Sequence, residues 1–399
     1  MSELSEDYLQ NLVNKIANEI HLENFNFDKQ CFQSIGQNYF GLLVPLRLNG
    51  EICNRNVNIS VVLKLAPTDE RYRVSGAITL MFSREIFVYT KLFKKFLDLV
   101  NKLQFPFQYV IPECYYVCRD YCNEAVVLEN ICEKKYMPFT GSMFLNKEHI
   151  NVALSSLAKF HAMSFILKNN DKDFYKEAES VCVPLNEITN KRFIEILLNR
   201  LDKALIIFEN TEYKDLIQRT KNHCTRLIRA ATASVERVCL CHGDIWKENV
   251  LFQYKDNIPI SACIIDYQTT RISSPAFDVL YLIVTSTSSD LRRQYLTQFL
   301  DTYYETFEHT LTKANLNPHE EYSRNMFNHD LVVVGPTCFI IANTAIWLAS
   351  GLQNVGHVKS KIVLETESEI FEAKENYKSI IKGIIDDLRS SGFLNVTDE

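Results

Sequence analysis

Cys241-His242-Gly243-Asp244-Ile245-Trp246-Lys247-Glu248-Asn249 stands between two strand-like runs, VCL (238–240) and VLFQY (250–254). Its pattern, H-G-D-x4-N, puts an aspartate and an asparagine in one loop, where a carboxylate can meet a substrate hydroxyl while an amide oxygen faces a metal ion. A third oxygen donor follows in SACIIDYQ (261–268), where Asp266 ends an apolar strand. A carboxylate there costs burial energy unless a cation or donor pairs with it. Mg2+ bound to nucleotide phosphates would supply the pairing, since it takes a few protein oxygens together with phosphate and water. A turn containing His and Asp is by itself more often structural than catalytic, so the companions decide.

Two companions lie upstream. Lys64 sits in the apolar run VVLKLAP (61–67), so its ammonium needs a partner. Glu85 shares a helix face with Tyr89, Leu92 and Phe96, a spacing that turns it inward. An inward lysine and an inward glutamate invite an ion pair, which in a kinase holds the lysine against the nucleotide phosphates. The ordinary alternative is a snorkelling Lys64 at a strand edge and a solvated Glu85.

Around these residues the pattern changes once. Ser5 caps an amphipathic helix with Leu9, Leu12, Val13 and Ile16 on one face. Tyr39–Leu48 and Val57–Leu65 read as a hairpin with Asn49-Gly50 at its turn. One long helix is predicted over 80–103, and strands over 113–118 and 124–129. Beyond an irregular stretch, helices are predicted over 147–167, 186–209, 212–234, 290–314, 331–351 and 364–390, with short strands near 238–241, 249–254 and 260–265. The expectation is an α+β chain with a small mixed lobe over 1–130 and a mainly helical lobe over 131–399.

Composition fits a folded chain of two lobes: 399 residues, 47% hydrophobic and 23% charged. A formal charge of -6 argues against nucleic acid as the main partner. The acidic, amphipathic N-terminus has no basic flank leading to an apolar core, so the 12 cysteines are read as reduced thiols of a cytoplasmic protein. Leu331–Ser350 has the length of a membrane span but carries Pro336, Thr337, Asn343 and Thr344, and is read as a core helix, with no membrane span expected. Cys114, Cys118, Cys122 and Cys132 tempt a zinc reading, yet buried free thiols are preferred. Cys239 and Cys241 should face the same side of a strand. His161 is read as a hydrogen-bonded core histidine, and Trp246 as packing beneath its loop rather than as a stacking platform.

In this order the segments resemble the ecdysteroid kinase-like family of the protein-kinase-like superfamily, whose relatives include aminoglycoside phosphotransferases and choline kinases. The likeness runs through GQNYFG (36–41), VVLKLAP, FSREIFVY (82–89), VVLEN (126–130), LAKFHAMS (157–164), CHGDIWKENVLF (241–252), IIDYQ (264–268), SPAFDVLYLI (274–283) and DDLRSSGFL (386–394). The resemblance implies a two-lobed kinase-like fold, a small antiparallel-sheet lobe above a larger helical one, with ATP between them. It places Lys64 on the phosphates with Glu85 as its partner, Asp244 as the catalytic aspartate, and Asn249 and Asp266 as Mg2+ ligands. It makes VVLEN the hinge, with backbone groups near Glu129 and Ile131 meeting the adenine, Asn38 the polar candidate of the nucleotide-covering loop, and Asp278 a brace of the catalytic loop. The acceptor would be a small-molecule hydroxyl, on an ecdysteroid or a hydroxylated foreign compound.

Two departures stand out. The loop SIGQNYFG (34–41) lacks the three glycines of protein kinases, and Tyr267 replaces the family's usual Phe. Choline, aminoglycoside or fructosamine-type kinases are the neighbouring alternatives, since HGDxWxxN also occurs in fructosamine kinases. A ligand-binding pseudokinase is the alternative of another class, and the presence of all five site residues argues against it. A protein kinase is disfavoured because no activation segment ending in APE is found. Nothing in the sequence bears on the oligomeric state.

Overall fold

A computed structural model describes residues 5–30, 41–354, 360 and 362–396. Helix α1 (Glu6–Glu19) begins where the Ser5 hydroxyl accepts from the Tyr8 amide, and the acidic pair Glu6 and Asp7 suits its N-terminal dipole. Its buried stripe lies on a five-stranded antiparallel sheet built from β1 (Glu23–Lys29), β2 (Leu42–Ile52), β3 (Arg55–Leu65), β4 (Cys114–Cys118) and β5 (Ala125–Glu129). The strand order is β1-β2-β3-β5-β4, which puts the lysine strand in the centre. Asn38 lies outside the described residues.

The hairpin turn is not at Asn49-Gly50. Ile52 pairs with Arg55, so the turn is Cys53-Asn54, both left-handed at φ 51° and 60°, the geometry that matches strand twist. Gly50 lies inside β2 opposite Val57, and a Cβ there would stand 2.7 Å from the Glu23 carbonyl. The glycine therefore serves the close approach of β1 rather than a turn.

Helices α2 (Glu70–Gly76), α3 (Ile78–Phe87) and α4 (Phe93–Leu103) follow β3, with a π-turn at Val88–Leu92 between the last two. The single helix expected over 80–103 is thus interrupted. The Thr90 hydroxyl donates to the Ile86 carbonyl at 2.6 Å and takes up the acceptor that a regular α-turn would give to the Thr90 amide. Packing assigns α3 and α4 to the helical side: Phe82, Phe93 and Phe96 belong to its core, and Phe93 lies 5.0 Å from Tyr267 and 6.4 Å from Phe160.

The larger part comprises β6 (Met137–Pro138), α5 (Lys147–Asn170), α6 (Lys172–Val181), α7 (Lys191–Ile207), α8 (Lys214–Asn222), α9 (Cys224–Ala233), β7 (Cys239–Cys241), β8 (Val250–Lys255), β9 (Ile258–Ile264) and β10 (Arg271–Ser273). It closes with α10 (Pro275–Ser286), α11 (Ser289–Lys313), α12 (Pro318–Tyr322), α13 (Arg324–Ala349) and α14 (Glu367–Ser390). The small antiparallel-sheet part and the larger helical part together form the expected two-lobed, kinase-like α+β architecture. Three boundaries differ from expectation. Helix α7 starts at 191 rather than 186, because the Asn186 side chain accepts from the Ile188 and Thr189 amides, both at 2.9 Å, and holds a turn. The helix expected over 212–234 is divided at His223, where φ is -103°. Helix α13 starts at Arg324, well before Leu331, under a Ser323 cap.

Two stretches, Lys147–Asn170 and Pro318–Ala349, are long and apolar enough to cross a membrane, but their apolar windows are 78% and 72% buried inside the protein. They are core helices: α5 packs along α11, and α13 against α10.

Candidate active site

Lys64 faces Val126 across the β3–β5 ladder, and its ammonium, 4% exposed as a residue, lies 2.6 Å from Glu85 Oε2 and 2.7 Å from Asp266 Oδ1. Strand β3 supplies the lysine, α3 the glutamate and the end of β9 the aspartate. Burial opposes the ammonium charge, but Asp266 and Glu85 outweigh it and raise the Lys64 pKa. Burial, with Asp266 adding to it, raises that of Glu85 against the pull of Lys64. Asp266 sits in the left-handed region at φ 68°, a conformation that Asp tolerates better than most residues and that turns its carboxylate out of the strand direction.

The loop carrying Asp244 is fastened on three sides. The buried Asp278 carboxylate accepts from the His242 amide at 2.6 Å and the Gly243 amide at 3.0 Å. His242 Nε2 meets the Ile265 carbonyl at 2.9 Å, which ties the loop to the residue before Asp266. Thr269 donates to the His242 carbonyl at 3.0 Å. Gly243 has φ +86°, and a Cβ there would overlap Arg271 Nη1 and the Thr269 carbonyl, so only glycine fits. The Tyr281 hydroxyl donates to Asp244 Oδ1 at 3.0 Å, and Asn249 Nδ2 donates to the Asp244 carbonyl at 2.8 Å. That bond spends the amide nitrogen of Asn249 and leaves Oδ1 as its free donor oxygen. Burial and then the Asp266 charge push the Asp244 pKa up to about 6, against the hydrogen bond from Tyr281.

Asp278 is itself braced. His161 Nε2 lies 3.2 Å from Asp278 Oδ2, and His161 Nδ1 lies 2.8 Å from the Tyr303 hydroxyl. Burial works against charge on His161, but Asp278 overcomes it and pushes the pKa up to about 9, while the same contact holds Asp278 low despite its own burial. His161 is hydrogen-bonded in the core, as read from sequence, and through Asp278 it braces the loop that carries Asp244.

Lys64 is shared by Glu85 and Asp266, while Asp244 interacts with the Asp266 charge and with the Arg271 cation, so three carboxylates stand against two cations. Gln268 Oε1 is buried without a partner among the described residues, and Gln268 Nε2 lies 3.4 Å from Asp266 Oδ2. Oxygen donors with excess negative charge are the set a hard divalent cation takes, so Asp266 and Asn249 fit Mg2+.

At the expected hinge, the Glu129 amide is already committed to the Glu113 carbonyl at 2.7 Å, and its carboxylate lies 2.6 Å from Lys134. Ile131 opens a 3-10 turn, Ile131–Lys134, so its amide has no partner inside that turn. The backbone groups left for a base are therefore those around Ile131 rather than the Glu129 amide. Trp246 is half-buried and packs against the main core.

The four cysteines of the zinc reading do not assemble into a metal group among the described residues; Cys118 is buried, while Cys114, Cys122 and Cys132 are half-buried. Cys239 and Cys241 share a face, with their sulfurs 3.8 Å apart. They also lie near His161, but both His161 nitrogens are engaged.

Tyr281 and Arg271 were not singled out by sequence reasoning. Tyr281 was within reach: it follows Asp278 by three residues on α10, so the two share a helix face. A cavity of about 550 Å³, lined by Met137, Phe139, His149 and Tyr254 among others, shares no residue with this site.

Among solved structures, the chain is similar to a Plasmodium vivax ethanolamine kinase at 13% identity and TM-score 0.42, covering 98% of this chain and 90% of that one. It is also similar to the GDP complex of an aminoglycoside 2'-phosphotransferase at 14% identity and TM-score 0.42, covering 94% and 98%. A glucosamine kinase in complex with glucosamine, ADP and inorganic phosphate matches at 10% identity and TM-score 0.41, covering 99% and 84%. No curated protein sequence is significantly similar to the chain. The ecdysteroid kinase-like family model matches residues 35–316, most of the chain and all of the segments from Lys64 to Asp278, and the chain belongs to that family.

Proposed function

We propose that the protein is a small-molecule kinase that transfers the γ-phosphoryl group of ATP, with Mg2+, to a hydroxyl of an ecdysteroid or a hydroxylated foreign compound. The observation that carries this reading is the clasp of Lys64 between Glu85 and Asp266, joined through His242 and Ile265 to the loop of Asp244 and Asn249. Lys64 holds the nucleotide phosphates and Glu85 holds Lys64. Tyr281 fixes one oxygen of Asp244, leaving the other to orient the acceptor hydroxyl and receive its proton. The acceptor oxygen then bonds to the γ-phosphorus as the bond to the β-phosphate bridging oxygen breaks, and ADP leaves. Asp266 and Asn249 would hold Mg2+, which would supply charge neutralisation for the phosphates when bound. Glu129 and Ile131 border the adenine side, with Ile131 offering its amide, and Asn38 belongs to the covering loop.

The test incubates the protein with Mg-ATP and a panel of ecdysteroids, hydroxylated aromatics, choline and amino sugars, with mass spectrometry reading which acceptor gains one phosphate. Gain on ecdysteroids or hydroxylated aromatics supports the reading, and gain on choline or amino sugars alone replaces it with the neighbouring one. ATP bound without any transfer favours the pseudokinase.

Asp266→Asn should weaken Mg2+-dependent ATP binding by roughly 10- to 100-fold, the worth of a charge-assisted contact of about 1.5–3 kcal/mol. Unchanged metal dependence in calorimetry removes Asp266 from the site. The raised Asp244 pKa carries a sign: the carboxylate is lost as pH falls through about 6, so kcat/KM should drop about tenfold per unit below it. A flat profile between pH 5 and 8, roughly the window spanned by that group, would exclude Asp244 as the base.

A further inference from the structure

The cavity of about 550 Å³ is lined from β6, the first turn of α5, the end of β8 and the turn that follows it. Small-molecule sites run from roughly 300 to 1,000 Å³, so its volume is that of such a site. Met137, Pro138 and Phe139 supply an apolar wall, and Thr140, Tyr254 and Asn257 supply polar groups. None of the lining side chains is an acid, a lysine or an arginine.

The hydrogen-bond polarity of this cavity is set from the helix end outward. Asn146 caps α5, its Oδ1 accepting from the His149 amide at 3.1 Å, so it is the oxygen of Asn146 that meets the ring of the same histidine. His149 Nδ1, 2.5 Å from that oxygen, carries the proton, and Nε2 is left as an acceptor. Burial holds the His149 pKa below its ordinary value, against the pull of Glu148, so the ring is neutral at neutral pH. The Tyr254 hydroxyl, 3.0 Å from Nε2, therefore donates to it and keeps its lone pairs for another donor. Phe139 and Phe252, with ring centroids 4.5 and 4.8 Å from that of His149, clamp the imidazole in place. Tyr254 is 37% exposed and lines the cavity, so a fixed acceptor oxygen stands beside an apolar wall.

We propose that this cavity is a second ligand site, which binds an uncharged ring compound carrying a hydroxyl, with the ring on Met137 and Phe139 and the hydroxyl donating to Tyr254. A wall without a cation or a carboxylate offers an ionised group nothing to pair with, so carboxylates, phosphates and amines are rejected. An acceptor with its own proton committed selects a donor, so a hydroxyl is recognised where its ether is not. The compound sits beside the loop of Asp244 and Asn249 rather than in it. Gly141 of the cavity is followed by Ser142, whose carbonyl accepts from Lys247 Nζ at 2.9 Å.

The probes are 4-propylphenol, its methyl ether and 4-propylbenzoate, titrated into the full chain without nucleotide and read by saturation-transfer NMR. The phenol should bind about 2- to 10-fold tighter than the ether, the worth of one hydrogen bond, and at least about tenfold tighter than the benzoate. Tyr254→Phe should bring the phenol to the level of its ether. Thr140 is exposed at the cavity, so Thr140→Arg costs the fold little while its side chain fills the space, and it should weaken the phenol at least about tenfold. Circular dichroism checks that Tyr254→Phe is folded; if it is not, Thr140→Arg decides. No binding of the phenol by the parent overturns the site, and so do equal affinities for the three probes. A phenol that binds Thr140→Arg as tightly as the parent sits elsewhere, beside Asp244 included, and overturns it as well. None of these titrations needs ATP or transfer, so failure of the kinase reading and failure of this inference are separable.

Discussion

Asp244→Asn should abolish phosphoryl transfer while leaving ATP bound. The amide keeps the carboxylate's shape, so the Asn249 contact to the residue 244 carbonyl and an oxygen for the Tyr281 hydroxyl both persist. Lost are the negative charge and the proton acceptor, and positioned general bases are worth about 10²–10⁴-fold in rate. The expected result is a fall of that size in kcat on whichever acceptor the panel identifies, with the dissociation constant for Mg-ATP within about threefold of the parent, a change of less than ~0.7 kcal/mol. Single-turnover kinetics and calorimetry read the two numbers separately. Parent-like turnover would remove Asp244 from the chemistry and leave the loop as a scaffold.

Asp278→Ala should be the most damaging change to stability. The carboxylate is fully buried and is the acceptor for the His242 and Gly243 amides and the partner of His161. Its removal leaves two buried amide donors unsatisfied and takes away the main counter-charge of the buried His161 ring, a loss of about 3–5 kcal/mol and a fall of roughly 5–10 °C in Tm. Asp278 is the main group, with Cys241 assisting, that holds the His161 pKa up against burial, so in the variant it should titrate below 9. NMR of the histidine ring distinguishes this from general loosening. A parent-like melting curve would contradict the bonding network described for the loop.

How much of this was legible in the chain depends on the range of the interaction concerned. Lys64 and Glu85 were readable because each conflicts with its own neighbourhood: a cation in an apolar strand and an acid on an apolar helix face can be reconciled only by each other. The spacing of Asp244 and Asn249 put both in one loop, where a hydrogen bond joins them, and Asp266 was legible as a strand-end carboxylate that needs a partner, which Lys64 supplies; their roles came from the resemblance and not from the spacing. Asn49-Gly50 misled because Asn-Gly is a strong turn signal, and the contact that explains Gly50 comes from β1, a strand far less apolar than its neighbours. The π-turn at Val88–Leu92 depends on one threonine hydroxyl, below the resolution of a periodicity argument. Arg271 and the His161–Tyr303 contact could not be read from sequence, because their partners lie on distant segments.

The packing of α3 has a mechanical consequence. By position in the chain Glu85 travels with the sheet, but its helix is embedded among Phe160, Tyr267 and the helices below, while Lys64 is rooted in the central strand above. Both counter-ions of Lys64 therefore stand on the opposite bank of the cleft from the lysine itself. A rocking of the sheet away from the helices would strip one buried ammonium of both carboxylates together, an all-or-none penalty rather than a graded one. The gap between the lobes should behave as a latch with a single pin, and whatever replaces the carboxylates at that pin, such as the phosphates of an arriving nucleotide, is what lets it swing.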